Sequence, residues 1–161
     1  MGRFYIKEDP TKLEYLCDYT ANFITPISVG KGPLGERIVA DLTGGHFEGP
    51  RMKGKVRASG ADWALVGPDG NLRLDVRAVF ESDDGASIYV TYRARMEVTE
   101  GIRKALEGGG ETNFGDNYFI SQIQFETGDE RYAWLNNLMA VGEGKLKPNE
   151  VTYRVYAVVP D

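Results

Sequence analysis

Apolar and polar residues alternate along much of the chain, which is the period of a β-strand with one buried face. Residues 71–82 and 86–98 show the clearest alternation, and the Asp84-Gly85 pair between them is a strong hairpin signal. The two segments are therefore predicted to form one long antiparallel hairpin. Their apolar positions are Leu72, Leu74, Val76, Ala78 and Phe80 in the first, and Ile88, Val90, Tyr92, Ala94 and Met96 in the second.

The same alternation and the turn residues between segments predict the remaining strands. A second hairpin is predicted between 138–146 and 151–159, and a further pair between 36–48 and 51–58, joined at Gly49-Pro50. Segments 62–66 and 118–127 supply two more strands. The first strand is predicted from Leu13, Tyr15, Cys17, Tyr19 and Ala21, which occupy one parity.

Two short helices interrupt this pattern. Thr99 is a suitable N-cap for a helix over 100–106, which ends before the triple glycine 108–110. Thr127-Gly128-Asp129 precedes a second predicted helix over 130–138. Glycine-rich residues 30–35 are interpreted as a loop, because Pro33 and a following strand do not fit a nucleotide-binding turn.

About eight or nine antiparallel strands with one or two short helices predict an all-β fold, a single closed antiparallel barrel of the small ligand-holding kind. No change of composition divides the chain, so residues 1–161 are expected to form a single β-barrel domain. A sandwich of two sheets is the alternative architecture.

Charge and composition exclude several classes of function. A net charge of -5 argues against a nucleic-acid binder, which needs clustered Lys and Arg. No apolar run reaches about 18 residues, and residues 1–10 lack the apolar core of a signal peptide. Cys17 is the only cysteine and His46 the only histidine, so we expect a cytoplasmic location and no zinc or copper site. No cofactor is expected.

His46 and Glu48 are the first candidate pair for acid–base chemistry. They are two residues apart, and such residues share a face when the strand is extended. Gly44 and Gly45 precede them, and paired glycines in a strand favour a bend or a close backbone approach. An ordinary sheet bend with His46 on its rim explains the same residues equally well.

The polar face of the long hairpin, formed by every second residue, is the second candidate site. Asp75 and Arg77 lie on its first strand, and Tyr89 and Arg93 on its second. If this face were the barrel lumen, an arginine could bind a substrate oxyanion and a buried aspartate could exchange a proton. The alternative is a solvated outer face with cross-strand ion pairs.

Asp62-Trp63 is the third candidate, because it places a proton-exchanging group beside a large apolar wall. A turn aspartate with Trp63 in the core is the competing interpretation. Phe119, at the start of a strand, could line a pocket or belong to the core. Trp134 is expected to fill the core at one end of the barrel.

Several separated motifs resemble one family, the domain-of-unknown-function family 3237. The resemblance implies a calycin-like barrel similar to that of allene oxide cyclase, and it implies no settled reaction. His46 departs from the residue expected in most relatives. The matching segments are 44–56, 60–63, 74–77, 82–90, 125–136 and 154–156. Asp75, Arg77 and Tyr89 lie within them.

These observations favour a cofactor-independent lyase or isomerase that acts on a small apolar or aromatic molecule by cyclisation, hydration or conjugate addition. A non-catalytic small-molecule-binding barrel is the alternative. A homodimer is expected, because closed two-fold dimers are the commonest homo-oligomers. The predicted catalytic residues are Asp62, Asp75, His46, Arg77 and Tyr89, and the predicted substrate-binding residues are Glu48, Trp63, Arg93, Phe119 and Trp134.

Overall fold

A computed structural model describes residues 10–160, so the predicted absence of a signal peptide at 1–10 falls almost entirely outside the described residues. Ten strands, one α-helix and one 3₁₀ helix account for the regular structure of the described part. They are β1 (Lys12–Phe23), β2 (Ile27–Gly32), β3 (Gly35–Glu48), β4 (Lys53–Val56), β5 (Ala61–Val66), β6 (Leu72–Ser82), β7 (Ser87–Met96), α1 (Glu100–Leu106), β8 (Phe119–Glu126), the 3₁₀ helix (Glu130–Leu135), β9 (Met139–Lys147) and β10 (Glu150–Val159).

The strands close into an antiparallel barrel. Neighbours follow the order β1, β10, β9, β8, β7, β6, and then β3, which pairs back with β1. The short strands β4 and β5 together fill the one position between β6 and β3, so the barrel has eight strand positions. β2 extends the sheet beside the first half of β3. The predicted closed barrel is confirmed.

The predicted long hairpin and its turn are confirmed. β6 pairs with β7 from Leu72 opposite Met96 to Glu81 opposite Ser87, around the Asp84-Gly85 turn. Its apolar parity is buried in the barrel and its charged parity points outward. The lumen is therefore apolar along this hairpin, and the charged face is the outer wall.

The parity predicted for β1 is wrong over its first half. A bulge between Tyr15 and Cys17 inserts one extra residue, which moves the side chains that precede it to the other face. Leu13 and Tyr15 are consequently 58% and 46% exposed, while Cys17 and Tyr19 are fully buried.

The paired glycines of β3 form the expected bend. Gly44 and Gly45 have φ of 142° and 145°, a region that L side chains rarely adopt. At this bend β3 exchanges its neighbours, from β2 and β5 to β1 and β4. A side chain at Gly45 would also collide with the carbonyl oxygen of Thr20.

Two local predictions need correction. Residues 27–32, partly interpreted as loop, form β2, because the β3 hairpin partner satisfies their backbone groups. The second helix is a 3₁₀ helix that ends at Leu135 rather than 138. It closes one end of the barrel, where the Tyr132 hydroxyl donates to the Asp84 carboxylate at 2.8 Å. No helix within residues 10–160 is long and apolar enough to cross a membrane.

Candidate functional site

A cavity of about 160 Å³ lies inside the barrel at the end opposite the 3₁₀ helix. This end is formed where β6, β8 and β10 begin and where β1, β7 and β9 finish, and Leu106 of α1 contributes to its wall. The lining is almost wholly apolar, with one carboxylate and two tyrosine hydroxyls as the polar groups among its described residues. It consists of Phe23, Pro26, Ile38, Ala40, Leu42, Asp62, Ala64, Leu72, Leu74, Val76, Tyr92, Met96, Leu106, Phe119, Leu146, Val151 and Tyr153.

A cluster of aromatic rings forms the inner boundary of the cavity. The rings of Tyr92 and Phe119 lie edge-on to that of Tyr153, with centroids 5.2 and 5.4 Å away. Tyr19 stacks on Tyr153, with ring centroids 5.7 Å apart. Its hydroxyl lies 3.2 Å from that of Tyr92. Such interlocked rings hold their hydroxyls in fixed positions.

Two glycines of β9 make room for neighbouring side chains in the lumen. A Cβ at Gly144 would lie 2.6 Å from the Phe119 ring, and a Cβ at Gly142 would lie 2.8 Å from Oγ of Ser121. The inward-facing Gly144 therefore leaves the space that the Phe119 ring occupies in the lumen, and Gly142 leaves the space for Ser121.

Asp62 is the only ionisable carboxylate that residues 10–160 place on the cavity wall. It lies on β5, on the same inward parity as Ala64, and its Oδ1 accepts a hydrogen bond of 3.1 Å from the backbone N–H of Asp75. Desolvation in the apolar cavity raises the pKa of Asp62 from 3.8 to about 7. The hydrogen bond opposes this rise, and the negative charge of Asp75 adds to it. Asp62 can therefore donate or accept a proton near neutral pH.

The two tyrosine hydroxyls of the cavity differ from Asp62 in that they do not exchange a proton near neutral pH. Burial raises the pKa of Tyr92 and of Tyr153 well above the usual value, and the charge of Asp62 contributes in both cases. Both hydroxyls therefore stay protonated and can donate hydrogen bonds. The Tyr153 hydroxyl is buried and makes no hydrogen bond of ordinary geometry within the described part of the chain. A weaker hydrogen-bonding interaction with the Tyr92 hydroxyl opposes the rise in the pKa of Tyr153. A buried donor without a partner is costly and is often found where a ligand supplies the acceptor.

The cavity adjoins a smaller pocket at the surface. This second pocket, of about 150 Å³, shares Phe23, Pro26 and Leu106 with the cavity and continues to the β9–β10 turn at Pro148 and Asn149. The shared residues show that the cavity and the surface pocket are adjacent, between α1 and the link from β1 to β2.

The structure places two of the predicted site residues on the cavity wall, namely Asp62 and Phe119. Three others line an outer groove of the barrel instead. Trp63 is the outward neighbour of Asp62, while Asp75 and Arg93 are opposite each other on β6 and β7. Their groove is separated from the cavity by the barrel wall.

The remaining predicted residues line neither the cavity nor the groove, although the guanidinium carbon of Arg77 is 5.9 Å from the centroid of the Trp63 ring. His46 and Glu48 point outward, and Oε1 of Glu48 lies 3.8 Å from Nζ of Lys53. Arg77 and Tyr89 belong to the outer face of the long hairpin. The five predicted catalytic residues therefore do not form one cluster.

Trp134 lies at the end of the barrel closed by the 3₁₀ helix. The guanidinium carbon of Arg51 is 3.7 Å from the centroid of its ring, and the indole N–H donates to the carbonyl of Arg131. Trp134 therefore belongs to the closed end and lies away from the cavity.

Tyr92 and Tyr153 are the site residues that sequence reasoning missed. The alternation placed Tyr92 among the buried apolar positions, and Tyr153 lies on the buried parity of β10. The available signal was chemical, because a tyrosine on an otherwise aliphatic inward parity carries a hydroxyl that needs a partner.

No group of three or more His, Cys, Asp or Glu side chains in residues 10–160 is arranged to hold a metal ion. Among the side chains that the structure describes around the cavity, Asp62 and the two tyrosines carry the polar chemistry. These groups can supply hydrogen bonding and proton exchange.

Comparison with known proteins places this barrel among uncharacterised relatives. A family model described as "Protein of unknown function (DUF3237)" matches residues 11–158. A UPF0311 protein of Rhodopseudomonas palustris is 31% identical over 147 residues, which cover 91% of this chain and 95% of that protein. The crystal structure of a conserved protein of unknown function from the same species superimposes with a TM-score of 0.87 at 28% identity, over 93% of this chain and 99% of that one.

A fungal enzyme is also similar. The hydroalkoxylation enzyme phnH of Penicillium herquei is 30% identical over 115 residues, which cover 71% of this chain and 61% of that protein. The crystal structure of an enzyme from Penicillium herquei has a TM-score of 0.68 and 23% identity, over 96% of this chain and 99% of that one, and shows the shared fold.

Proposed function

The chain belongs to the DUF3237 family, and from that premise we propose that it is a cofactor-independent lyase or isomerase that moves a proton within a small aromatic substrate held in the barrel. The observation that carries the proposal is Asp62, a carboxyl with a pKa of about 7 in an apolar cavity that it shares with the unpartnered Tyr153 hydroxyl. The similarity to a hydroalkoxylation enzyme supports the same class of chemistry.

The reaction proposed is the addition of a substrate hydroxyl to a carbon–carbon double bond conjugated to a carbonyl. The O–H bond and the π bond break, a C–O bond and a C–H bond form, and the product is an isomer of the substrate. Asp62 as carboxylate takes the hydroxyl proton, and Asp62 as carboxylic acid returns a proton to carbon. The pKa of about 7 makes both forms accessible in one cycle.

Tyr153 has the complementary role of stabilising negative charge. As the hydroxyl adds, charge develops on the carbonyl oxygen of the substrate, and a fixed donor in a dry cavity stabilises it. The raised pKa of Tyr153 keeps its proton in place as a hydrogen-bond donor. Tyr92, whose hydroxyl is hydrogen-bonded to that of Tyr19, packs edge-on against the Tyr153 ring and supports its position.

The size of the cavity sets the class of substrate. An engineered apolar cavity of about 150 Å³ holds one benzene molecule. The present cavity, of about 160 Å³, therefore accepts one aromatic ring, and the adjoining surface pocket gives room for a short side chain. A phenol that carries an unsaturated ketone at the neighbouring ring position fits both features.

The experiment uses 1-(2-hydroxyphenyl)but-2-en-1-one, whose ring closure gives 2-methylchroman-4-one without loss of atoms. The protein is expected to produce an excess of one enantiomer, and in D₂O one deuterium is expected on the carbon next to the carbonyl. The Asp62→Asn variant should lose about 10²–10⁴-fold in rate, because it keeps the shape but cannot exchange a proton.

Asp41→Asn is the matched control, since Asp41 is exposed on β3 and its replacement removes the same charge outside the cavity. Racemic product at the uncatalysed rate would contradict the proposal, as would full activity of Asp62→Asn. Binding of the compound without conversion, seen as shifts of the Leu146 and Val151 methyl signals, would instead favour the binding barrel. A homodimer and a cytoplasmic location remain further parts of the proposal.

A further inference from the structure

A groove of about 710 Å³ crosses the outer wall of the barrel over β5, β6, β7 and β8, and it is separate from the lumen. Its volume falls in the range of about 300–1,000 Å³ that is typical of ligand sites. Four arginines and one aspartate are the charged residues that line it in the described part of the chain, whereas the chain as a whole carries a net charge of -5. The groove is therefore a local concentration of positive charge on an acidic protein.

The arginines are arranged in a row across the strands. Arg37 is opposite Leu65, which is opposite Arg73, which in turn is opposite Arg95. Arg73 and Arg95 are thus direct cross-strand neighbours on the same outer face. Like charges in this position repel each other, and a bound anion removes the repulsion.

The arginines lack carboxylate partners within the described residues. Arg37 donates to the backbone carbonyl of Trp63 at 2.9 Å, and Arg73, Arg93 and Arg95 form no ion pair in residues 10–160. Asp75 is opposite Arg93 in the strand register but makes no ion pair with it. Several guanidinium groups are thus available to one ligand, each able to bind an oxyanion with two N–H groups.

Aromatic side chains flank the arginines. Trp63 is 39% exposed on β5 and Tyr118 is 61% exposed just before β8, and both line the groove. Exposed aromatic rings next to arginines provide stacking surfaces for a flat ligand.

We propose that this groove is a second ligand site, for a planar aromatic compound that carries a multiply charged oxyanion such as a phosphate ester. The arginine row binds the anion, and Trp63 and Tyr118 contact the ring. This site is independent of the chemistry proposed for the barrel lumen, since Arg73 and Arg95 do not line that cavity.

The two tryptophans of the chain provide the measurement. Trp63 lies in the groove, and Trp134 lies under Arg51 at the end closed by the 3₁₀ helix. In ¹H–¹⁵N spectra, titration with phenyl phosphate is expected to shift the Trp63 indole signal to saturation and to leave that of Trp134 unchanged. Inorganic phosphate has the oxyanion but no ring, and benzyl alcohol has the ring but no oxyanion. Each is therefore expected to bind at least about tenfold more weakly than phenyl phosphate.

Arg73→Gln and Arg95→Gln are each expected to weaken binding of phenyl phosphate by about tenfold or more. Both variants remove a like-charge contact, so their melting temperatures should equal or exceed that of the wild type. Arg103→Gln on α1 is the matched control, because Arg103 pairs with Glu100 outside the groove, and its affinity should stay within about twofold of wild type.

Three results would overturn the proposal. The first is no shift of Trp63 at about 10 mM phenyl phosphate, a concentration that would detect millimolar affinity. The second is equal weakening by Arg73→Gln and Arg103→Gln, which indicates general charge attraction. The third is a protein dimer that Arg73→Glu dissociates, which would assign the groove to a second copy of the chain.

Discussion

Replacement of Asp62 by Asn is expected to stabilise the protein by an amount that grows as the pH rises from about 4 to about 7. The asparagine would keep the Oδ1 acceptor for the Asp75 N–H while removing a carboxyl that is costly to ionise in the cavity. The pKa of Asp62 rises from 3.8 to about 7, about three units, and each unit corresponds to about 1.36 kcal/mol. The upper limit of the gain in unfolding free energy is therefore about 4 kcal/mol.

The sign follows from proton binding. Below about pH 4 the carboxyl is protonated in both the folded and the unfolded chain, so the wild type and Asp62→Asn should be equally stable. Between about pH 4 and about pH 7 the unfolded chain releases the proton and the folded protein retains it, so the wild type loses stability as pH rises. Above about pH 8 the difference should stay constant.

Urea unfolding of both proteins at several pH values between about 4 and 8.5 measures this difference. Other titrating groups are common to both proteins and cancel in the comparison. Asp41→Asn, at an exposed position, should change the unfolding free energy by less than about 0.5 kcal/mol at every pH. A stability difference for Asp62→Asn that does not depend on pH, or a less stable variant at about pH 8.5, would refute the reasoning about Asp62.

Other substitutions test the packing and the cavity. Gly144→Ala should lower the unfolding free energy by about 1–3 kcal/mol, because its methyl group displaces the Phe119 ring, and unchanged urea unfolding would contradict this. Tyr153→Phe should raise the unfolding free energy by about 1 kcal/mol, since it removes a buried hydroxyl that lacks a hydrogen-bond partner, and it should slow conversion of the enone. A loss of stability would show that this hydroxyl does form a stabilising hydrogen bond. Thr99→Ala should cost about 1 kcal/mol by removing the cap of α1, measured by thermal unfolding against Thr91→Ala. Sedimentation at micromolar concentration should give a dimer, and a monomer alone would contradict the expected homodimer.

Local pattern was sufficient for much of the barrel. The alternation of β6 and β7 and the Asp84-Gly85 turn predicted both strands and their pairing. They left open which parity faces the lumen, and the structure places the apolar parity there. The Thr99 cap predicted the start of α1 for a similar reason, since the cap and the helix are neighbours in the chain. Where contacts between near neighbours in the chain determine which local conformation is stable, the amino-acid sequence is sufficient to predict that conformation.

The candidate site depended on more distant contacts. Both parities of β5 carry apolar residues, so alternation could not decide whether Asp62 or Trp63 faces the lumen. Asp75, in contrast, lies on the charged parity of β6 and faces outward. The two aspartates looked equivalent in the sequence because desolvation, which separates them, comes from residues far along the chain.

The chain alone establishes an all-β barrel, its hairpins, its acidic charge and the set of groups capable of chemistry. Tertiary structure alone establishes which of those groups meet. Closure of β1 against both β3 and β10 brings Tyr19, Tyr92 and Tyr153 together from three distant segments and encloses Asp62 with them. The physical reason is that side-chain direction has a period of two residues along a strand, whereas burial, pKa and hydrogen-bond partners depend on which strands close the barrel.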